Sequence, residues 1–238
     1  MVIQATLNYL FDHKPHLLTP PLRGWMRDEP RFADFVQIHR DKIRKKIRGI
    51  SSADGFQDLR AELEAAYVLL QEKRFTLAYE PYGQGTGRGP DLAVTFRTRI
   101  TFNVEVTRMR AKAETEPPLF DPQGEGRRLA DIVSSKLGQM PPRMMNLLMI
   151  IADEPRVGEL ELGQVMNQLK QRAEQKEAQL FQRHGFRGTS DFFKYYQRLS
   201  GVLLRSTGQP ETGLCPLLWL NNQTKHPLPA PLGPILQR

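Results

Sequence analysis

The spacing of apolar residues predicts an α/β fold, a three-layer α/β/α sandwich around a central mixed β-sheet. Two observations carry this. Residues 146–152 (NLLMIIA) form an unbroken apolar run, the pattern of a strand covered on both faces. Around it, helix-period and strand-period segments follow in the order helix, strand, hairpin, helix, strand, helix, which implies a mixed sheet packed between helices.

Residues 1–30 are rich in Pro, His and Arg with little periodicity, and read as a segment wrapped over the surface. From 31 to 50 the pattern is helical, with Phe32, Phe35, Val36, His39, Ile43 and Ile47 on one face. The opposite face carries Arg40, Lys42, Arg44, Lys45 and Arg48, either a solvated surface or a row of phosphate contacts. Residues 51–55 interrupt the pattern, and 58–73 resume it with Leu59, Leu63, Ala66, Tyr67 and Leu70 on one side. FTLAYE (75–80) alternates as a strand. PYGQGTGRGP (81–90) is a loop that lacks a Walker pattern, since no Gly-Lys-Ser/Thr ends it. A hairpin over 91–97 and 100–107 follows, then a charged connection over 108–126 and a helix over 127–140 stopped by Pro141 and Pro142. Beyond the buried strand come a long polar helix (160–182), a short helix (191–196) and strands at 199–205 and 217–220. The proline-rich tail from Pro227 reads as irregular. The chain thus divides into a basic helical extension (1–50) and one domain (51–238). That domain has its core at about 58–152, followed by an α/β elaboration and the tail.

Lys plus Arg outnumber Asp plus Glu by 34 to 26, a net charge of +8. A basic surplus favours a polyanionic partner, because each neutralised phosphate releases counterions. The single cysteine, Cys215, excludes an internal disulfide and a thiolate zinc cluster. With no secretory signal and no long apolar run, a soluble, cytoplasmic protein without membrane attachment is expected. His13 and His16 are separated by Lys14-Pro15, which breaks ligand geometry, and no other zinc-type cluster accompanies them. Phe192, Phe193, Tyr195 and Tyr196 read as core rather than as base-stacking groups.

The hairpin is the most informative segment. Pairing Phe96 with Ile100, Val94 with Phe102 and Leu92 with Val104 puts every apolar residue on one face; a one-residue slip scatters them. The same register carries Asp91 opposite Glu105, with Cβ atoms roughly 5 Å apart. Two carboxylates that close either share a proton or hold a cation. Oxygen ligands from two strands suit Mg²⁺, with Mn²⁺ as a substitute, and such a metal can polarise a phosphoryl oxygen and activate water. The alternative is a solvated acidic pair.

Glu62 in a helix, Gly89-Pro90-Asp91-Leu92, and Val104-Glu105-Val106-Thr107 together resemble the signature of the PD-(D/E)XK nucleases. The resemblance covers about residues 58–152 and implies a restriction-endonuclease-like core, in which Glu62, Asp91 and Glu105 surround one or two metals. The family pattern has Lys where this chain has Thr107. Some relatives carry that lysine on the following helix, which makes Lys136 the candidate, with Gln139 on the same helical face. Arg108 is a second cation but cannot act as a base. Glu64 points elsewhere on its helix and is expected to be solvated.

The leading expectation is therefore a Mg²⁺-dependent nuclease acting on nucleic acid, with double-stranded DNA as substrate and a homodimer possible in principle. Arg40, Arg44, Lys45, Arg48 and Arg88 would contact the phosphate backbone. The alternatives are a catalytically silent nucleic-acid-binding protein and a protein-interaction module of a prokaryotic defence or repair assembly.

Overall fold

Prolines of the N-terminal segment, read as part of a surface wrap, start helices. The computed structural model describes residues 2–82, 89–111, 121–153, 161–206 and 216–237. The segment before residue 30 is not a surface wrap but two helices, α1 (Val2–Phe11) and α2 (Thr19–Asp28), ahead of α3 (Pro30–Gly49). Prolines sit in the first turn of α2 and α3, where the missing N–H would have had no partner anyway. The Glu29 side chain accepts from the Arg31 amide and caps α3. The next helix, α4 (Ala53–Leu70), begins earlier than its periodicity suggests, because Ser52 caps it through the Gly55 amide.

The strands and remaining helices are β1 (Phe75–Tyr79), β2 (Leu92–Phe96), β3 (Ile100–Met109), α5 (Pro122–Leu137), β4 (Asn146–Ala152), α6 (Leu162–Glu174), α7 (Ala178–His184), α8 (Thr189–Tyr196), β5 (Gly201–Ser206), β6 (Leu217–Leu220) and α9 (Gly233–Leu236). The polar helix expected over 160–182 is split into α6 and α7, with Lys176 between them in the left-handed region at φ 57°. It is not merely solvated, since Leu162, Val165, Met166 and Leu169 of α6 are buried. The tail is not irregular either: a 3-10 turn (Ala230–Leu232) and α9 bury Leu232 and Leu236.

Among the described residues, six strands form one mixed sheet in the order β1-β2-β3-β4-β5-β6. β1, β2 and β3 are antiparallel neighbours, β3, β4 and β5 run parallel, and β6 returns antiparallel to β5. The β2–β3 register pairs Leu92 with Val104, Val94 with Phe102 and Phe96 with Ile100, as the apolar pattern requires. β4 is buried at all seven residues, the consequence of helices on both faces. One core packs α1 to α4 and α9 against Leu92, Val94, Phe102, Val104, Val106, Leu147 and Met149. The other packs α5 to α8 against Met109, Leu148, Ile150, Val202 and Leu204. The first core runs through residue 50 without a break, so the three N-terminal helices share their packing with the sheet. Among the described residues no helix is long and apolar enough to cross a membrane.

Candidate active site

Strand alternation decides which layer each residue of β3 meets. Val104, Val106 and Arg108 face the α4 layer, while Asn103, Glu105 and Thr107 face the α5 layer. Asp91 lies one residue before β2, outside the ladder, where a side chain can address both layers. A cleft of about 500 Å³ opens there, lined by Glu62, Asp91, Glu105, Thr107, Arg108 and Lys136 among others.

The acidic pair is held by different means. Oδ2 of Asp91 accepts from the Val106 amide at 2.8 Å, so the carboxylate turns toward β3. Burial raises the Asp91 pKa, although the Val106 amide, Lys46 and Lys136 oppose the shift. Glu105 is buried, and its Oε1 accepts from Nζ of Lys136 at 2.9 Å. Nζ of Lys136 also reaches Oε1 of Gln139 at 3.3 Å. Thr107 is half-buried on the cleft wall.

Glu62 reaches the same cleft from α4, with different partners. Its Oε2 accepts from Nζ of Lys46 at 2.6 Å and from the Tyr79 hydroxyl at 3.0 Å. Burial, and then the charge of Asp91, push Glu62 up to about 7 even with Lys46 beside it. Burial opposes the Lys46 charge, but Glu62, Asp91 and Glu80 outweigh it and raise the lysine's pKa. Among the described residues, no group of three or more His, Cys, Asp or Glu side chains is arranged to hold a metal ion. Asp91 and Glu105 line the cleft together, while Glu62 is committed to Lys46 and Tyr79. Glu64 is not solvated: its Oε2 is buried without a hydrogen-bond partner, and burial raises its pKa.

Arg108 is a structural cation. Its side chain is only 5% exposed and pairs with Asp54 at 2.7 Å, Asp153 at 3.3 Å and Asp58 at 3.6 Å. Arg110 adds pairs to Asp54 and Asp58, so β3 is clamped to the first half of α4. The expected phosphate contacts lie on the α1–α3 surface. Arg40 and Arg44 stand over the Tyr9 ring at 4.9 and 4.3 Å, Arg44 and Arg48 pair with Asp12, and Lys45 is exposed. The residue that α3 delivers to the cleft is Lys46. Arg88 lies outside the described residues.

Lys46, Tyr79 and Glu80 were not singled out from sequence. Lys46 falls three residues after Ile43 and eleven after Phe35, on the buried side of α3, and that spacing was the available signal. Comparisons with family models, curated proteins and solved structures find no match to this chain.

Proposed function

We propose that this chain is a Mg²⁺-dependent nuclease that hydrolyses phosphodiester bonds in DNA, with a restriction-endonuclease-like core of the PD-(D/E)XK kind. The observation that carries the reading is the meeting of Lys136 with Glu105, 2.9 Å apart, in the cleft that Asp91 also lines. A lysine from α5 thereby supplies the cation that Thr107 lacks.

The donor set fits a hard cation. Mg²⁺ keeps several waters and takes one or two carboxylates together with phosphate oxygens. Asp91 and Glu105 are two such carboxylates. One oxygen of Asp91 is held by the Val106 amide, and the other has no hydrogen-bond partner among the described residues. Glu62 fits less well as a third ligand, because Lys46 and Tyr79 share one of its oxygens. When bound, Mg²⁺ supplies Lewis acidity toward a phosphoryl oxygen and a water.

The remaining work falls to the chain's own groups. The Lys136 ammonium orients a water beside Glu105 and offsets negative charge that builds on the phosphoryl group. Lys46 sets a second ammonium in the cleft from α3, and the Val106 amide keeps Asp91 from turning away. Arg108 cannot exchange a proton and is already paired, so its contribution is to hold α4 against β3. The net charge of +8 favours DNA, with a duplex as the expected substrate. The second reading is a catalytically silent DNA-binding protein, favoured by Thr107 where a strand lysine would stand.

Supercoiled plasmid incubated with Mg²⁺ or Mn²⁺ distinguishes the two. Wild type is expected to nick it, Asp91→Ala and Glu105→Ala to abolish nicking, and Lys136→Met to slow it by about 100-fold or more. Circular dichroism should show all three variants folded. Cleavage that survives Asp91→Ala and Glu105→Ala overturns the nuclease reading; salt-sensitive DNA binding without cleavage in either metal selects the silent one.

A further inference from the structure

Tyr82 is anchored more firmly than its position at the surface requires. It lines the cleft with Asp91 and Glu105, yet 48% of it is exposed. Its hydroxyl donates to Oδ1 of Asn103 at 3.0 Å and lies 3.2 Å from Sδ of Met144. Asn103 is buried, and its Nδ2 donates to Oδ1 of Asn146 at 3.0 Å. Asn146 is fully buried and donates in turn to the carbonyls of Pro141, Met144 and Arg198. On its other side the tyrosine rests on Gly89, where a Cβ would stand 3.2 Å from Tyr82 Cβ and 3.4 Å from Cδ2. Two buried amides on adjacent strands therefore orient one exposed ring beside Pro90 and Asp91.

Buried polar chains are stable only when each member is satisfied, and a satisfied chain rigidifies what it touches. Here it rigidifies a half-exposed aromatic ring that lines the cleft. The cleft's size points to what that ring meets. About 500 Å³ is room for a drug-sized ligand, the scale of a nucleotide. A cleft of that volume holds a nucleotide rather than a stretch of duplex.

We propose that Tyr82 is a stacking platform for an unpaired base of the substrate strand, so that the nucleotide beside the reacting phosphate enters the cleft from a single-stranded stretch. The inference rests on the nuclease reading for the kind of strand bound, and narrows it to single-stranded DNA or the single-stranded part of a duplex. Any base offers a π-face, so the platform selects strand state and not sequence. Lys46 and Lys136, both lining the cleft, are placed to neutralise the phosphates on either side of that base.

The test measures binding by fluorescence anisotropy with Ca²⁺ in place of Mg²⁺, using a labelled oligo(dT) and a labelled, blunt-ended, fully paired DNA duplex. Tyr82→Ala is expected to weaken oligo(dT) binding about 5- to 150-fold, the loss of one stacked base, and to leave duplex binding within twofold. Tyr82→Trp should retain the oligo(dT) affinity, and a 5-iodouracil oligonucleotide should cross-link at Tyr82. Equal losses on both DNAs, or unchanged oligo(dT) binding with cross-links elsewhere, overturn the proposal. Since binding is read without turnover, failure of plasmid cleavage and failure of stacking are separate results.

Discussion

Lys136 and Lys46 approach the cleft from opposite helical layers, and each stands against a carboxylate, Glu105 and Glu62 respectively. At this scale burial governs behaviour. Glu62 is raised from 4.5 to about 7, so the folded chain holds a proton that the unfolded chain has lost across that interval. Stability from this group is therefore greatest at acid pH and falls as pH rises from about 4.5 to about 7. Asp91, also raised by burial, acts in the same direction from 3.8 upward. Glu62→Gln is expected to flatten the decline in Tm between pH 5 and 7.5. Thermal melts across that range check this; an unchanged slope would mean that Glu62 is ionised throughout.

The elements that carry these side chains are held by features of opposite character. The Arg108 and Arg110 pairs to Asp54 and Asp58 lock α4 to β3, the helix bearing Glu62 to the strand bearing Glu105. The turn between β2 and β3 is strained instead. It lacks the glycine such turns favour, and both Arg97 (φ 48°) and Thr98 (φ 61°) adopt the left-handed region. That region costs a residue with a Cβ about 1–2 kcal/mol, most of all a β-branched one. Thr98→Gly is therefore expected to stabilise the protein by about 1 kcal/mol, with nuclease activity unchanged, since the turn is at the far end of β2 from Asp91. Urea denaturation measures it, and a loss of stability would refute the strain argument. The apolar pairs along β2 and β3 hold the register so firmly that the chain accepts this turn.

Across the whole molecule, two helical layers close on a sheet whose β2 entrance gathers acidic groups. Burial disfavours the charges of Asp91 and Glu62, and a divalent cation would relieve that penalty at Asp91. Mg²⁺ at about 100 times its Kd is expected to add about 2.7 kcal/mol, seen as a higher Tm. Asp91→Ala should lose that response, while an equal rise in the variant would place the metal elsewhere. The effect should be larger at pH 8 than at pH 5.5, where more of the carboxylate protons compete.

Much of this was readable from residue order alone. Period-two alternation places Leu92, Val94, Phe102 and Val104 on one face, and that pattern admits a single hairpin register. The apolar run of β4 likewise demanded cover on both sides. Lys136 came from the resemblance, which implies a lysine on the following helix, and helical spacing puts it on one face with Gln139. Other features depended on contacts between segments distant in sequence. Glu64 looked solvated but is covered, and Lys46, not singled out by any motif, meets Glu62 and Tyr79 only where α3 packs beside β1. The Tyr82–Asn103–Asn146 chain joins three segments that no local pattern connects. The acidic pair shows the division most clearly. Local alternation points Asp91 toward Glu105, because strand period and apolar burial are properties of short segments, although the ladder itself stops at Leu92 and Val104. Only the packed molecule turns Asp91 onto the Val106 amide and sets a lysine against Glu105, because those contacts arise where separate layers close together.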